Sequence, residues 1–136
     1  MNSGKSILFI CTHNSARSFM AGYLGQARYP GITFRSAGIH PLCPDPAAVA
    51  VLNEENIDTS GHRPSTIGSF SGEYFELIVF LCPNAMKLAW SLPKSKEVIL
   101  REFRVPAGGA DHLSGFRELR DSLKVFIDEI VEVIQD

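Results

Sequence analysis

The sequence predicts an α/β fold in three layers, a parallel sheet with helices on both faces. Runs short enough for strands alternate along the chain with segments patterned at helical spacing. The two strongest runs, Ile7 to Ile10 and Leu77 to Leu81, are continuously apolar, as strands covered on both faces are. The chain closes on a long amphipathic helix.

Lys5 to Cys11 reads as the first strand. Arg17 to about Arg28 follows as a helix, with Ala16, Met20, Leu24 and Ala27 on one face, and Pro30-Gly31 ends it. Ile32 to Ala37 alternates as a second strand, and Gly38 through Pro44 is loop. Asp45 is an N-cap ahead of Pro46 at the first helical position, opening a helix through about Asn56. Thr59 to Ser71 is loop with one short helix after Pro64. Tyr74 to Cys82 is the strongest strand, Ala85 to Trp90 a brief helix, and Glu97 to Leu100 a fourth strand. Pro106 to Gly109 is loop. From Asp111 or Ser114 onward, Phe116, Leu119, Leu123, Phe126, Ile127, Ile130, Val131 and Ile134 recur at helical steps.

A chain of 136 residues with 45% apolar and 21% charged content is expected to form one domain over residues 1–136. It is long enough to bury roughly two thirds of its unfolded surface without disulfides or metal. The net charge of −2 gives no electrostatic support to a nucleic-acid or membrane partner. The apolar run after Met1-Asn2-Ser3-Gly4 is too short for a signal segment or a membrane span, so a cytoplasmic protein is expected. Three widely spaced cysteines read as free or reactive thiols, and no ligand spacing suggests a metal.

Ligands bind outside the carboxyl ends of the strands in such sheets. Cys11 and Cys82 both end a predicted strand and should share that edge. After Cys11 the chain runs Thr12-His13-Asn14-Ser15-Ala16-Arg17-Ser18 into a helix. A helix N-terminus offers free N–H groups and a positive dipole end, which bind anions and favour thiolate over thiol. Arg17 adds a planar fork for two oxygens of a tetrahedral oxyanion. Asn14 suits a positive φ, and Ser15 and Ser18 can donate hydroxyl hydrogen bonds. The blander alternatives are that Cys11 is a small buried hydrophobe and that Cys82 is simply a packed strand residue. Cys43, between prolines, reads as incidental or as an exposed thiol able to accept exchange.

The Cys11 to Ser18 loop resembles the phosphate loop of the low-molecular-weight protein tyrosine phosphatases and of the arsenate reductases that share their fold. Ser36-Ala37-Gly38, Ile57 to Arg63, the strand reaching Cys82, Phe103 with Pro106-Ala107, Phe116-Arg117 and Arg120-Asp121 resemble the arsenate-reductase branch. The resemblance spans nearly the whole chain. It implies a four-stranded parallel sheet in order 2-1-3-4, Cys11 as nucleophile, and an oxyanion cradle from Thr12, His13, Asn14, Ser15, Ala16 and Arg17. Ser18 would steady the thiolate. In the reductase branch a cysteine at the position of Cys82 resolves the arseno-thiol adduct, leaving a Cys11–Cys82 disulfide.

The same resemblance exposes departures. Thioredoxin-coupled reductases carry a third cysteine where this chain has Ala89, followed by Trp90 in place of proline. Val105 replaces the aspartate used as general acid, with Asp111 and His112 as candidate substitutes; Asp111 also suits the cap of the last helix. Phe19 and Gly22 replace a glutamine and a glutamate, which removes support for the potassium site of some members. His13 stands where many phosphatases have glycine, similar to other reductase-like members, and His40 and His62 read as loop or surface residues.

Three functions follow as expectations. The first is reduction of arsenate to arsenite, without cofactor, drawing on an external thiol reductant: thioredoxin, glutaredoxin or a low-molecular-weight thiol. The second is hydrolysis of phosphotyrosine through a phosphocysteine. The third is a non-catalytic oxyanion-binding or thiol-redox protein.

Overall fold

The computed structural model describes residues 4–106 and 112–135. In chain order the elements are β1 (Ser6–Cys11), α1 (Arg17–Arg28), β2 (Thr33–Gly38), α2 (Pro46–Asn53), a 3-10 turn (Ile67–Phe70), β3 (Tyr74–Phe80), α3 (Pro83–Leu88), β4 (Lys94–Leu100) and α4 (His112–Gln135). The four strands are all parallel and lie in the order β2-β1-β3-β4, as the resemblance implied.

Successive strand residues point to opposite faces of a sheet. Ile7, Leu8, Phe9, Ile10 and Cys11 are nevertheless all buried, so both faces of β1 are covered. The apolar run of β3 is buried in the same way from Leu77 to Phe80. β4 is one of the two edge strands and carries exposed Lys94, Lys96 and Glu97, charges that discourage pairing with another sheet. That polarity hid its first three residues from the sequence pattern.

Helix α1 packs on β1 and β2, and α4 packs on both α1 and α2. Gly25 is where α1 comes closest to β2: a Cβ there would lie 2.4 Å from the Phe34 ring. Ala27, placed by spacing on the buried face, is exposed, and Gly25 makes the contact at that end. On α4 the predicted residues Phe116, Leu119, Leu123, Phe126, Ile127, Ile130 and Val131 are buried. An ionic clamp ties α2 to α4. Arg117 donates from Nε and Nη2 to the Glu54 carboxylate, Nη2 at 2.7 Å, and Arg120 Nη1 reaches Glu54 at 2.8 Å and the Val51 carbonyl at 3.1 Å.

Several boundaries differ from expectation. β3 ends at Phe80, and Cys82 is the N-cap residue of α3. Pro83 begins that helix, with a fixed φ suited to the first turn, so α3 starts two residues earlier than expected and stops at Leu88. α2 ends at Asn53, and Asn56 takes a positive φ of 62° in the turn that follows. The helix after Pro64 is the single 3-10 turn. The loop at 107–109 and Asp111 lie outside the described residues.

Candidate functional site

The loop from Cys11 to Arg17 closes tightly, which its composition permits. Asn14 has φ of 53°, the left-handed region expected of it. Gly38, paired with Cys11 in the sheet, sits directly beneath: a Cβ there would lie 2.9 Å from the Asn14 nitrogen and from the His13 carbonyl carbon. The loop carbonyls turn outward. Those of Cys11, Thr12, His13 and Ser15 accept from the amides of Ile39, His40, Leu42 and Asp45 at 3.2, 2.8, 2.9 and 2.8 Å. With its carbonyls so held, the loop can turn amides toward the sulfur, as those of Asn14 and Ser18 do.

The Cys11 sulfur is buried and is the focus of three hydrogen-bonding groups. The backbone N–H groups of Asn14 and Ser18 donate to Sγ at 3.3 and 3.4 Å, and the Ser18 hydroxyl lies at 3.0 Å. Asn14 Nδ2 donates to that hydroxyl at 2.7 Å, while the Ala37 carbonyl lies 3.2 Å from it. The oxygen is already an acceptor, so its single proton goes either to Ala37 or to Cys11. A thiol donating to Ser18 leaves the proton on Ala37; a thiolate draws it to sulfur. The three donors around Sγ therefore suit a sulfur anion.

Arg17, the first residue of α1, donates from Nη1 to the Phe103 carbonyl at 3.1 Å. Its Nε is buried and has no hydrogen-bond partner among the described residues. A buried guanidinium N–H left unpaired costs free energy. The bond to Phe103 also secures the chain after β4, whose backbone continues the sheet pattern through Arg101 N to Phe80 O and Phe103 N to Leu81 O, both 2.9 Å. Val105, two residues on, is partly exposed and brings no proton donor.

Cys82 is free and buried, as is Cys11, whereas Cys43 is free and exposed. The Leu81 amide donates to the Ile10 carbonyl at 2.8 Å, which sets Cys82 beside the start of the loop. Its sulfur lies 3.2 Å from the Thr12 hydroxyl, which also accepts from Asn84 Nδ2 at 3.3 Å. The second thiol thus touches the residue next to the first. The edge-sharing read from the sequence holds, although Cys82 reaches it as a helix-capping residue.

Of the other predicted cradle residues, Ala16 is buried, Ser15 half-buried and His13 exposed, with its Nδ1 3.5 Å from the His40 carbonyl. Asp45 acts as the N-cap expected of it, accepting from Ala47 N at 2.8 Å. His62 belongs to a loop but is not a plain surface residue: its ring packs against Phe19 and Tyr23 at 4.7 and 5.6 Å, and burial pushes its pKa down. Among the described residues no group of three His, Cys, Asp or Glu is placed to hold a metal ion, and no helix is long and apolar enough to cross a membrane.

Sequence reasoning missed two supports. Ser65 N donates to Asn14 Oδ1 at 3.3 Å, and its carbonyl accepts from Gly38 N at 2.8 Å, so the segment after Pro64 braces the loop. The Phe103 carbonyl anchors Arg17. Both are backbone groups far away in sequence, and neither leaves a signal in side-chain identity.

Residues 6–131 match the family model described as low molecular weight phosphotyrosine protein phosphatase. Over 126 residues the chain is 34% identical to an arsenate reductase of Staphylococcus aureus strain N315, covering 92% of this chain and 95% of that one. A solved arsenate reductase in its oxidized state superposes with a TM-score of 0.81 at 25% identity, covering 96% of this chain and 98% of that one. An arsenate reductase from Archaeoglobus fulgidus DSM 4304 does so at 0.68 and 27%, covering 90% and 98%.

Proposed function

Because the chain belongs to the low molecular weight phosphotyrosine protein phosphatase family, we propose that it is an arsenate reductase-like enzyme in which Cys11 attacks arsenate and Cys82 resolves the adduct. The observation that carries the second thiol's role is the contact of Cys82 with Thr12, one residue from the nucleophile. A phosphatase has no use for a thiol there.

Arsenate enters the loop against its backbone N–H groups and the Arg17 fork, whose Nε has no partner among the described residues. The Cys11 thiolate forms a sulfur–arsenic bond, and an arsenate oxygen leaves as water after gaining protons. Donors already aimed at fixed positions need no reorganisation as charge develops. Cys82, as thiolate, then attacks Cys11 Sγ. The sulfur–sulfur bond forms, the sulfur–arsenic bond breaks, and its electron pair stays on arsenic, which leaves as arsenite. The two thiols have supplied the two electrons. An external dithiol, or two equivalents of a low-molecular-weight thiol, reduces the disulfide and restores both groups.

Val105 at the usual acid position removes a contribution typically worth about 10²–10⁴ in rate for a poor leaving group. Arsenate exchanges its oxygen ligands far more readily than a phosphate ester breaks, so this loss weighs less on reduction. Ala89 removes the relay cysteine, and the external thiol then has to reach the Cys11–Cys82 pair directly. Phosphotyrosine hydrolysis is the second reading, favoured by a cradle that is complete without Cys82. Purified wild type, Cys11→Ser and Cys82→Ser, assayed on arsenate with thiol reductants and on para-nitrophenyl phosphate, separate the two. Reduction dependent on both cysteines supports the proposal; ester hydrolysis dependent on Cys11 alone, without reduction, overturns it.

A further inference from the structure

A cavity of about 380 Å³ has Gly22, Arg35, Ser36, His62, Arg63 and Ser65 in its lining. No carboxylate lines it. Arg35 comes from β2 and Arg63 from the loop before the 3-10 turn, and neither guanidinium has an ion pair or side-chain hydrogen bond among the described residues. Of the six other arginines, Arg28, Arg104, Arg117 and Arg120 each pair with a carboxylate and Arg17 donates to the Phe103 carbonyl. His62 also lines the cavity, and its buried Nε2 has no hydrogen-bond partner among the described residues. Asp58 is close enough to help raise the Tyr23 pKa but does not line the cavity.

We infer that this cavity is a second anion site, binding a tetrahedral oxyanion, free or as the head of a small monoester, between Arg35, Arg63 and His62. Two exposed arginines from different segments line one concave space, and an anion there can take charge-assisted hydrogen bonds from both. Ser36 and Ser65 add hydroxyl groups. Gly22 is what keeps the space open. A Cβ at that position would meet Ser36 Cβ at 3.4 Å, so a longer side chain from α1 would enter the cavity. A cation is disfavoured by the same lining. The site stands one residue from the sulfur network, through Ser65 N and Asn14 Oδ1, and does not depend on which reaction the cradle performs.

Amide and imidazole NMR shifts of the full chain, followed while sodium sulfate is added at constant ionic strength, read this site apart from the cradle. The expected result is two responses. One covers residues 12–18; the other covers Tyr23, Gln26, Arg35 and the His62 ring and saturates near ~1 mM, a modest affinity fitting a partly open site. In the Arg35→Gln/Arg63→Gln double variant the second response should weaken at least about tenfold, corresponding to about 1.4 kcal/mol, while the first persists. Gly22→Glu, which supplies a tethered carboxylate, should abolish the second response while leaving the folded spectrum intact. A parallel titration with glycerol phosphate distinguishes a monoester head from the inorganic ion by which saturates first. Shifts confined to residues 12–18, a second response unchanged in the double variant, or the same response to sodium chloride would overturn the assignment.

Discussion

The Ser18 hydroxyl lies 3.0 Å from the Cys11 sulfur while accepting from Asn14 Nδ2, so its one proton goes either to the sulfur or to the Ala37 carbonyl. This makes Ser18 the group that responds when Cys11 loses its proton. Ser18→Ala removes one hydrogen bond to a charged sulfur, an interaction worth about 1.5–3 kcal/mol. Iodoacetamide should then alkylate Cys11 at pH 7 roughly tenfold more slowly than in wild type. An unchanged rate would mean that the two backbone amides alone hold the anion.

Gly38 is the floor of the loop, and Gly38→Ala would force a Cβ to 2.9 Å from the Asn14 nitrogen and His13 carbonyl carbon, both backbone atoms that cannot swing aside. Overpacking of this kind costs about 1–3 kcal/mol. Urea denaturation should show that loss, and arsenate turnover should fall further than stability does, because the strain is relieved by displacing the amide that faces Cys11. Full activity with reduced stability would show that the loop tolerates a shifted floor.

Val105→Asp places a carboxyl two residues beyond the carbonyl that Arg17 holds. Hydrolysis of an alkyl phosphate, whose leaving group needs a proton, should rise toward the ~10²-fold that general acids contribute. Arsenate reduction should change little. Steady-state rates on both substrates test this, and a larger gain in reduction than in hydrolysis would contradict the weight given to leaving-group chemistry.

The two arginines on Glu54 hold its carboxyl at about 2, below its ordinary value of 4.5. A depressed carboxyl adds stability above its unfolded value and loses it as pH falls through the folded one. Thermal unfolding should therefore show a clamp contribution intact at pH 6, declining from about pH 4.5 and gone near pH 2. Glu54→Gln should remove that part of the decline, and a pH profile identical to wild type would show that the clamp is screened away.

The architecture was legible because burial on both faces forces β1 and β3 to be apolar without interruption, and because α4 repeats its apolar residues at helical steps. The shape of the proposed cradle was legible in part, because Asn14 takes the positive φ its residue type suggested and the Ser18 hydroxyl lies within hydrogen-bonding distance of Cys11 Sγ. Cys82 was placed on the correct edge but in the wrong element, since a strand-length apolar run gave no reason to stop before it, although Pro83 was a signal for a helix start. The start of β4 was missed because an edge strand has no need to be apolar. Ser65 and Phe103 act through backbone atoms brought in by tertiary folding, and no local pattern marks such a role. Asp111, the substitute acid read from the sequence, lies outside the described residues.

The resolving role of Cys82 is tested most directly by single turnover without external thiol. Reduced protein is mixed with one equivalent of arsenate, quenched by alkylation, and mapped by peptide mass spectrometry beside a measurement of arsenite. One arsenite per chain, with a peptide joining Cys11 to Cys82 and Cys43 alkylated, is the predicted result. Arsenite released while Cys82 remains alkylatable, or a disulfide to Cys43 in its place, would contradict it.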